Sequence, residues 1–237
     1  MLNPTIIRIT ARALLGRRRF LLLLPLPALL VGLAALAQAL SKTSDWEQPV
    51  IVGLGLGVVL PVVALIIGTG VLGSEIDDGT LAHILAKPLP RSEIVLSKYV
   101  VAATVTAVTT GVPFALVGWI ARSGSLAVGL AVGAVVGSLA YTAVFMALSL
   151  LTRRPVLLGL IYVLLWENLL GNYLSGTRVL SIEQYVITVV HRIANVDFLT
   201  SHVSLPVSLA MTFIFTAGAT LLTIDRLRSF SVVGETS

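Results

Sequence analysis

The sequence predicts an all-α integral membrane protein with six transmembrane helices. Three observations predict it. Hydrophobic residues make up 57% of the 237 positions and charged residues only 11%, against about 25% charged in ordinary soluble domains. Mean hydropathy is +1.00. Six stretches reach the roughly 20 apolar residues that a helix needs to cross hydrocarbon, and no run shows the alternation of a barrel strand. So little charge cannot clothe a water-facing surface, and so apolar a chain does not stay disordered.

Residues 1–19 form an amphipathic interfacial lead helix, with Asn3 as N-cap and Pro4 in the first turn. Ile6, Ile9, Ala13 and Leu14 lie toward one side, with Arg8, Arg12 and Arg19 toward the other, where lipid phosphates would meet them. The run Arg17-Arg18-Arg19-Phe20-Leu21 with Ala37-Gln38-Ala39 imitates an export signal and its cleavage site. Five further spans follow it, so the first span is read as uncleaved.

The spans fall at 20–40, 50–73, 99–121, 126–151, 156–174 and 205–224. Pro25, Pro27, Pro61 and Pro113 lie inside them and are expected to kink them. Gly53 and Gly57 in span two, and Gly129, Gly133 and Gly137 in span four, are spaced for close helix packing within the chain rather than for a dimer seam. Between spans five and six lies an external segment, 175–204. Within it Ile182, Tyr185, Val186, Val189, Val190 and Ile193 make a helical stripe opposite Glu183, Gln184, Thr188, His191, Arg192 and Asn195. An outer helix over 181–195 either covers the span ends or gates them.

Six spans put both termini on one side. Twelve of the 16 lysines and arginines fall on that side, in 1–19, 74–98, 152–155 and 225–237. The positive-inside rule places it in the cytoplasm. The net charge of +5 is therefore topological and does not indicate nucleic-acid binding. The chain has no cysteine, which removes disulfides and thiolate metal sites.

Catalytic machinery is not evident. None of the three lysines follows a glycine as a P-loop requires. His83, His191 and His202 stand apart, and neither a zincin motif nor a nucleophile elbow occurs. The one clear ionisable group within a span is Glu167, 12 residues beyond Pro155, about 18 Å into the bilayer. It must be protonated, paired or wet. His191 or Arg192 is a candidate partner, and the simplest role is a contact that pins the outer helix.

The richest polar cluster is the cytoplasmic segment 74–98. Ser74 with Asp77 suits a capping turn, Gly79 a bend and Thr80 the cap of a short helix with Leu81, Ile84 and Leu85 on its apolar face. Asp77, Asp78, His83 and Lys87 are left for water or a partner. Pro88 and Pro90 end the helix, Ser92 caps span three, and Lys98 is placed to snorkel to the interface.

Glu75, Gly79, Thr80, Leu81, Leu85, Pro88, Arg91 and Lys98 form the pattern Glu-x-x-x-Gly-Thr-Leu-x-x-x-Leu-x-x-Pro-x-x-Arg-x6-Lys, which resembles the signature of ABC-2 type transporter permeases. The resemblance extends over 1–237 as a single transmembrane domain. It implies a permease subunit, not catalytic by itself, of an ATP-driven transporter, most often an exporter, in a bacterial inner membrane. It implies two partners: a second permease copy, as a homo- or heterodimer, and a separate cytoplasmic ATP-binding subunit. ATP and Mg would be bound by that subunit, with no cofactor or metal held directly. Segment 74–98 would carry the coupling helix, with Glu75, Asp77, Asp78, Gly79, Thr80, Leu81, Ile84, Leu85, Pro88, Arg91 and Lys98 at or near the contact. Thr69, Tyr162, Trp166 and Glu167, on spans two and five, are the expected lining of the substrate pathway, because hydroxyl and aromatic groups suit amphipathic ligands. The alternative is a proton-coupled carrier or intramembrane enzyme working alone.

Overall fold

A computed structural model describes residues 3–16, 23–40, 46–77, 90–121, 123–170, 178–196 and 198–229. Among these, all regular structure is helical. The helices are α1 (Pro4–Gly16), α2 (Pro25–Leu40), α3 (Gln48–Val59 continuing as Leu60–Asp77), α4 (Arg91–Ile120), α5 (Gly124–Leu151), α6 (Pro155–Ile161 continuing as Tyr162–Leu170), α7 (Ile182–Ala194) and α8 (Leu205–Ser229). Four reach membrane-crossing length and apolarity: α3 over Gln48–Gly73, α4, α5 and α8. Apolar helices Pro25–Leu40 and Pro155–Leu169 are shorter. Positions 20–22 and 171–174 of their expected spans lie outside the described residues.

Several boundaries differ from expectation. The connection between α3 and α4 is shorter than 74–98, because α3 runs on to Asp77 and α4 already begins at Arg91. Ser92 is thus inside α4 and does not cap it; Pro90 precedes the first residue, and its carbonyl accepts from Glu93 N at 3.0 Å. Pro25 and Pro27 sit in the first turn of α2, where no intrahelical donor is needed. Pro113 lies inside α4 as expected.

Asn3 caps α1 through Oδ1, which accepts from Thr5 N at 3.1 Å. The Asn3 backbone N–H donates to Ser97 Oγ of α4 at 2.9 Å, so α1 is tied to the bundle as well as amphipathic. Thr10 of α1 is buried, and Ile9, expected on the apolar side with Ala13, is 63% exposed.

The centre of the fold is α5, which packs against α3, α4, α7 and α8. Its glycines make that possible. A Cβ on Gly133 would lie 2.5 Å from Val190 Cγ2, and one on Gly137 would lie 2.6 Å from Leu60 Cδ2 and 2.9 Å from Val186 Cγ2. Gly129 abuts the Val190 carbonyl. The stripe seats α7 on α5, as intramolecular packing requires. Gly53 has nothing within 4 Å of its Cβ position; in α3 the closely approached glycines are Gly55, against Phe114, Gly57, and Gly68, against Phe145 and the Thr142 carbonyl.

Two helices are wound wide, with donors reaching five residues back: α3 over Gln48–Val59 and α6 over Tyr162–Leu170. The Leu60 N–H, for example, donates to the Gly55 carbonyl. Runs of this winding are rare and concentrate at functional sites. These two touch each other.

Gly133→Val should overpack the α5–α7 contact. We expect a loss of about 1–3 kcal/mol, measured as a lower unfolding temperature of the purified chain, with Gly53→Val nearly neutral as the control.

Candidate functional site at the base of the outer helix

The amphipathic stripe folds as α7, within a residue of the 181–195 expectation. It does not lie on the surface. Every residue from Ser181 to Val190 is buried, including the polar side: Glu183 is 3% exposed, Gln184 5% and Thr188 4%. The helix dips between the others, packing on α5, α8 and the wide part of α3. At its far end Asn195 adopts the left-handed conformation, φ 50°, with its N–H on the His191 carbonyl at 2.8 Å; asparagine tolerates that geometry and stops the helix.

A helix N-terminus buried in a bundle must satisfy its free N–H groups. Here Ser181 and Glu167 do so together. Ser181 Oγ accepts from Gln184 N at 3.4 Å and donates to Glu167 Oε2 at 2.5 Å. Glu167 Oε1 accepts from Ile182 N at 3.0 Å and from Tyr162 Oη at 2.8 Å, and Oε2 accepts from Glu183 N at 3.3 Å. Four donors surround one carboxyl group that is 0% exposed. That set matches an ionised carboxylate, which only accepts, and the positive end of the α7 dipole faces it. The partner is therefore neither His191 nor Arg192, which lie near the opposite end of α7. Glu167 pins the outer helix by its amides.

Neighbours on the same two stretches reinforce the join. Trp166 Nε1 donates to the Leu180 carbonyl at 3.3 Å, and Tyr185 Oη to the Val179 carbonyl. Asn168 Nδ2 donates to the Gly57 carbonyl of α3 and to Val163 O, each at 3.0 Å. The first of these bonds has a local cause. Pro61 has no N–H to give, so the four-back donor of ordinary winding is missing at Gly57, where the wide stretch of α3 ends. Asn168 supplies one from another helix. Gly57 is closely approached: a Cβ would lie 2.9 Å from Asn168 Oδ1 and 3.3 Å from Glu183 Oε1, so both side chains would have to shift.

Of the expected pathway residues, Tyr162, Trp166 and Glu167 meet at this join. Thr69 does not. It lies 12 residues beyond Gly57, about 18 Å along α3, buried, with its hydroxyl on the Leu65 carbonyl. Sequence reasoning missed Asn168, Ser181 and Glu183 as members of the cluster. A small cavity of about 120 Å³ opens beside α7, bordered by Gln48, Arg178, Gln184, Ile187, Phe198 and His202. Among the described residues, no three acidic or histidine side chains gather as a metal would require.

The expected coupling residues separate into three groups. Asp78, Gly79, Thr80, Leu81, Ile84, Leu85 and Pro88 lie outside the described residues. Glu75 and Asp77 fall in the last turns of α3, and Arg91 is the first residue of α4. Lys98 does not snorkel. It is 2% exposed, with Nζ on the Val71 carbonyl at 3.4 Å, because that side of α4 packs against α3.

Glu167 variants should rank by how many donors they leave stranded, each stranded donor costing about 1–3 kcal/mol. Gln keeps one acceptor oxygen, Ala keeps none, and Lys adds a charge among donors, so thermal stability should fall in that order. Asn168→Ala should also destabilise by about 1–3 kcal/mol. Pro61→Ala should restore a backbone donor to Gly57 and recover part of that loss, read as a coupling energy in a double-mutant cycle.

The chain is thus a multi-pass helical membrane protein whose signature-like segment joins two of its long helices. A search of curated proteins returned no match. A protein-family model described as ABC-2 family transporter protein matches residues 15–174. That span holds α2 to α6, including Glu167 and Asn168, and ends before the outer helix they secure. The chain belongs to the ABC-2 family of transporter proteins.

Proposed function

We propose that the chain is the permease subunit of an ATP-driven exporter. In this reading six helices, α2 to α6 and α8, cross a bacterial inner membrane, with both termini in the cytoplasm. Two permease copies form the pathway, and each docks on a separate ATP-binding subunit that alone binds ATP and Mg. The observation that carries the reading is the family match over 15–174, which includes the whole pattern from Glu75 to Lys98. The charge bias supports the orientation, since basic residues concentrate on the side of that segment.

The mechanism follows from the joins. Segment 75–91 connects the end of α3 to the start of α4, and Lys98 ties the two helices together. A push on the segment would therefore move α3 and α4 as a unit. The wide stretch of α3 bears on α6 through Asn168 and on α7 at Gly57. Displacement at the cytoplasmic end thus reaches the outer helix, which serves as the gate, with Tyr162, Trp166 and Glu167 at its hinge. Coupling of this kind works only if the segment's contacts with the ATPase differ between the ATPase's two states.

One observation favours a second reading, a proton-coupled carrier acting alone: Glu183 adds a second buried carboxyl beside Glu167. Affinity purification separates the two. Co-purification of a Walker-motif ATPase is expected, and transport by the reconstituted chain alone would overturn the first reading. Gly79→Val and Glu75→Arg should leave insertion intact while abolishing ATP-dependent transport by about tenfold or more. Normal transport with normal stimulation of ATPase in both variants would remove the coupling role from this segment.

A further inference from the structure

The cap at Glu167 leaves its neighbour unexplained. Glu183 is 3% exposed, one residue into α7, and its Oε2 is buried without a hydrogen-bond partner among the described residues. Its Oε1 lies against Gly57, 3.3 Å from where a Cβ would stand. A bare carboxylate in such a place would be costly twice over, through desolvation and through repulsion by Glu167. Among the described residues, the charged and titratable groups around it offer no relief. From α6 come Glu167 and Tyr162, and from α5 comes Tyr141; α7 itself adds Tyr185. The facing stretch of α3, Gln48–Val59, has no titratable side chain, and α8 has none before Asp225. No cation among these groups neutralises a second negative charge.

We propose that Glu183 is a proton-binding site, and that the outer helix seats in the bundle only with that proton in place. The two carboxyls divide their roles by environment. Glu167 meets four donors and holds charge. Glu183 meets apolar surface, a glycine and another carboxyl, and holds hydrogen. Burial first, and then the Glu167 charge, push the Glu183 carboxyl from its ordinary value of 4.5 up to about 8. An unseated α7, with Glu183 in water, would return it toward the ordinary value. The sign follows from linkage. Between the two values the seated helix binds a proton that the unseated one does not, so seating is favoured by acid and weakens as pH rises through the window toward 8. Deprotonation sends the proton to solvent and leaves two carboxylates competing for the α7 N-terminus. The outer helix is thus a gate sensitive to the acidity on its own side of the membrane, whatever drives transport.

The test uses the full chain in lipid nanodiscs, without any ATPase, so its outcome is independent of the transport reading. Backbone amide exchange over 182–194 is measured from about pH 6 to about pH 9 and expressed relative to the intrinsic rate at each pH. Protection in the native chain should fall by about tenfold or more across that range. Glu183→Gln, a permanently neutral shape match, should stay protected throughout, and Glu183→Asp should keep the pH dependence. A native chain with flat protection, or a Glu183→Gln chain with the native profile, overturns the proposal. So does a loss of protection reversed by sodium in place of choline at fixed pH, which would make the pair a cation site. Infrared spectroscopy of the native chain supplies a check that needs no variant. The stretch of a protonated carboxyl should vanish over the same pH interval as the protection, and its absence at pH 6 would overturn the assignment.

Discussion

The join between Glu167 and the start of α7 is the constraint on which the rest of this structure hangs. A helix that ends inside a bundle brings unsatisfied amides into a medium that offers them nothing. A carboxylate inside a span has the opposite deficiency. Each group would be expensive alone, and each supplies what the other lacks. Hydrogen bonds to a charged group are worth roughly 1.5–3 kcal/mol each, so four of them, at Tyr162, Ser181, Ile182 and Glu183, fix the helix start far more firmly than apolar packing would. Once that start is fixed, the remaining contacts have only one register. Val186 and Val190 must fall on Gly133 and Gly137, and Asn195 must turn the chain out.

The same join explains why the wide winding occurs where it does. A helix with bonds reaching five residues back turns more slowly, so consecutive side chains are displaced from the usual faces. Tyr162 and Glu167 are five apart and hydrogen-bonded, and Asn168 reaches back five residues to the Val163 carbonyl. Polar residues that would spread around an ordinary helix are thereby collected on one side, toward α3 and α7. The matching stretch of α3 presents two glycines, Gly55 and Gly57, to receive an aromatic ring and an amide respectively.

What was legible in the sequence followed from local pattern. The lead helix with its Asn3 cap, the outer helix and the glycine stripe of α5 are all encoded within a few turns, and each emerged nearly where its residues placed it; of the six apolar stretches, four fold as helices of membrane-crossing length. Glu167 was recognisable as needing a partner because charge in hydrocarbon always does. Its actual partners were not legible. They are mostly backbone and a serine, which carry no distinctive letter, and the turn that returns them to α6 is not written in a periodicity. The burial of Glu183 was not legible for a related reason. Amphipathic reasoning assigns the polar half of a stripe to water, whereas here that half faces another membrane helix. Lys98 lies in the interior rather than at the interface because that side of α4 packs on α3, a tertiary contact that no local pattern encodes.

The bond from Asn168 to the Gly57 carbonyl crosses 111 positions of sequence. Chains are made in order, at about 5–20 residues per second, so that carbonyl exists for roughly 5–20 s before its donor has been synthesised. During that time the Gly57 carbonyl is without the side-chain donor that Asn168 will supply. The first three apolar helices can enter the bilayer in this interval, but α3 cannot reach its final form until α6 arrives beside it. The structure therefore carries an assembly order: the helix that the outer helix hangs from is also the one that closes α3, and the two events are consecutive steps of the same arrival.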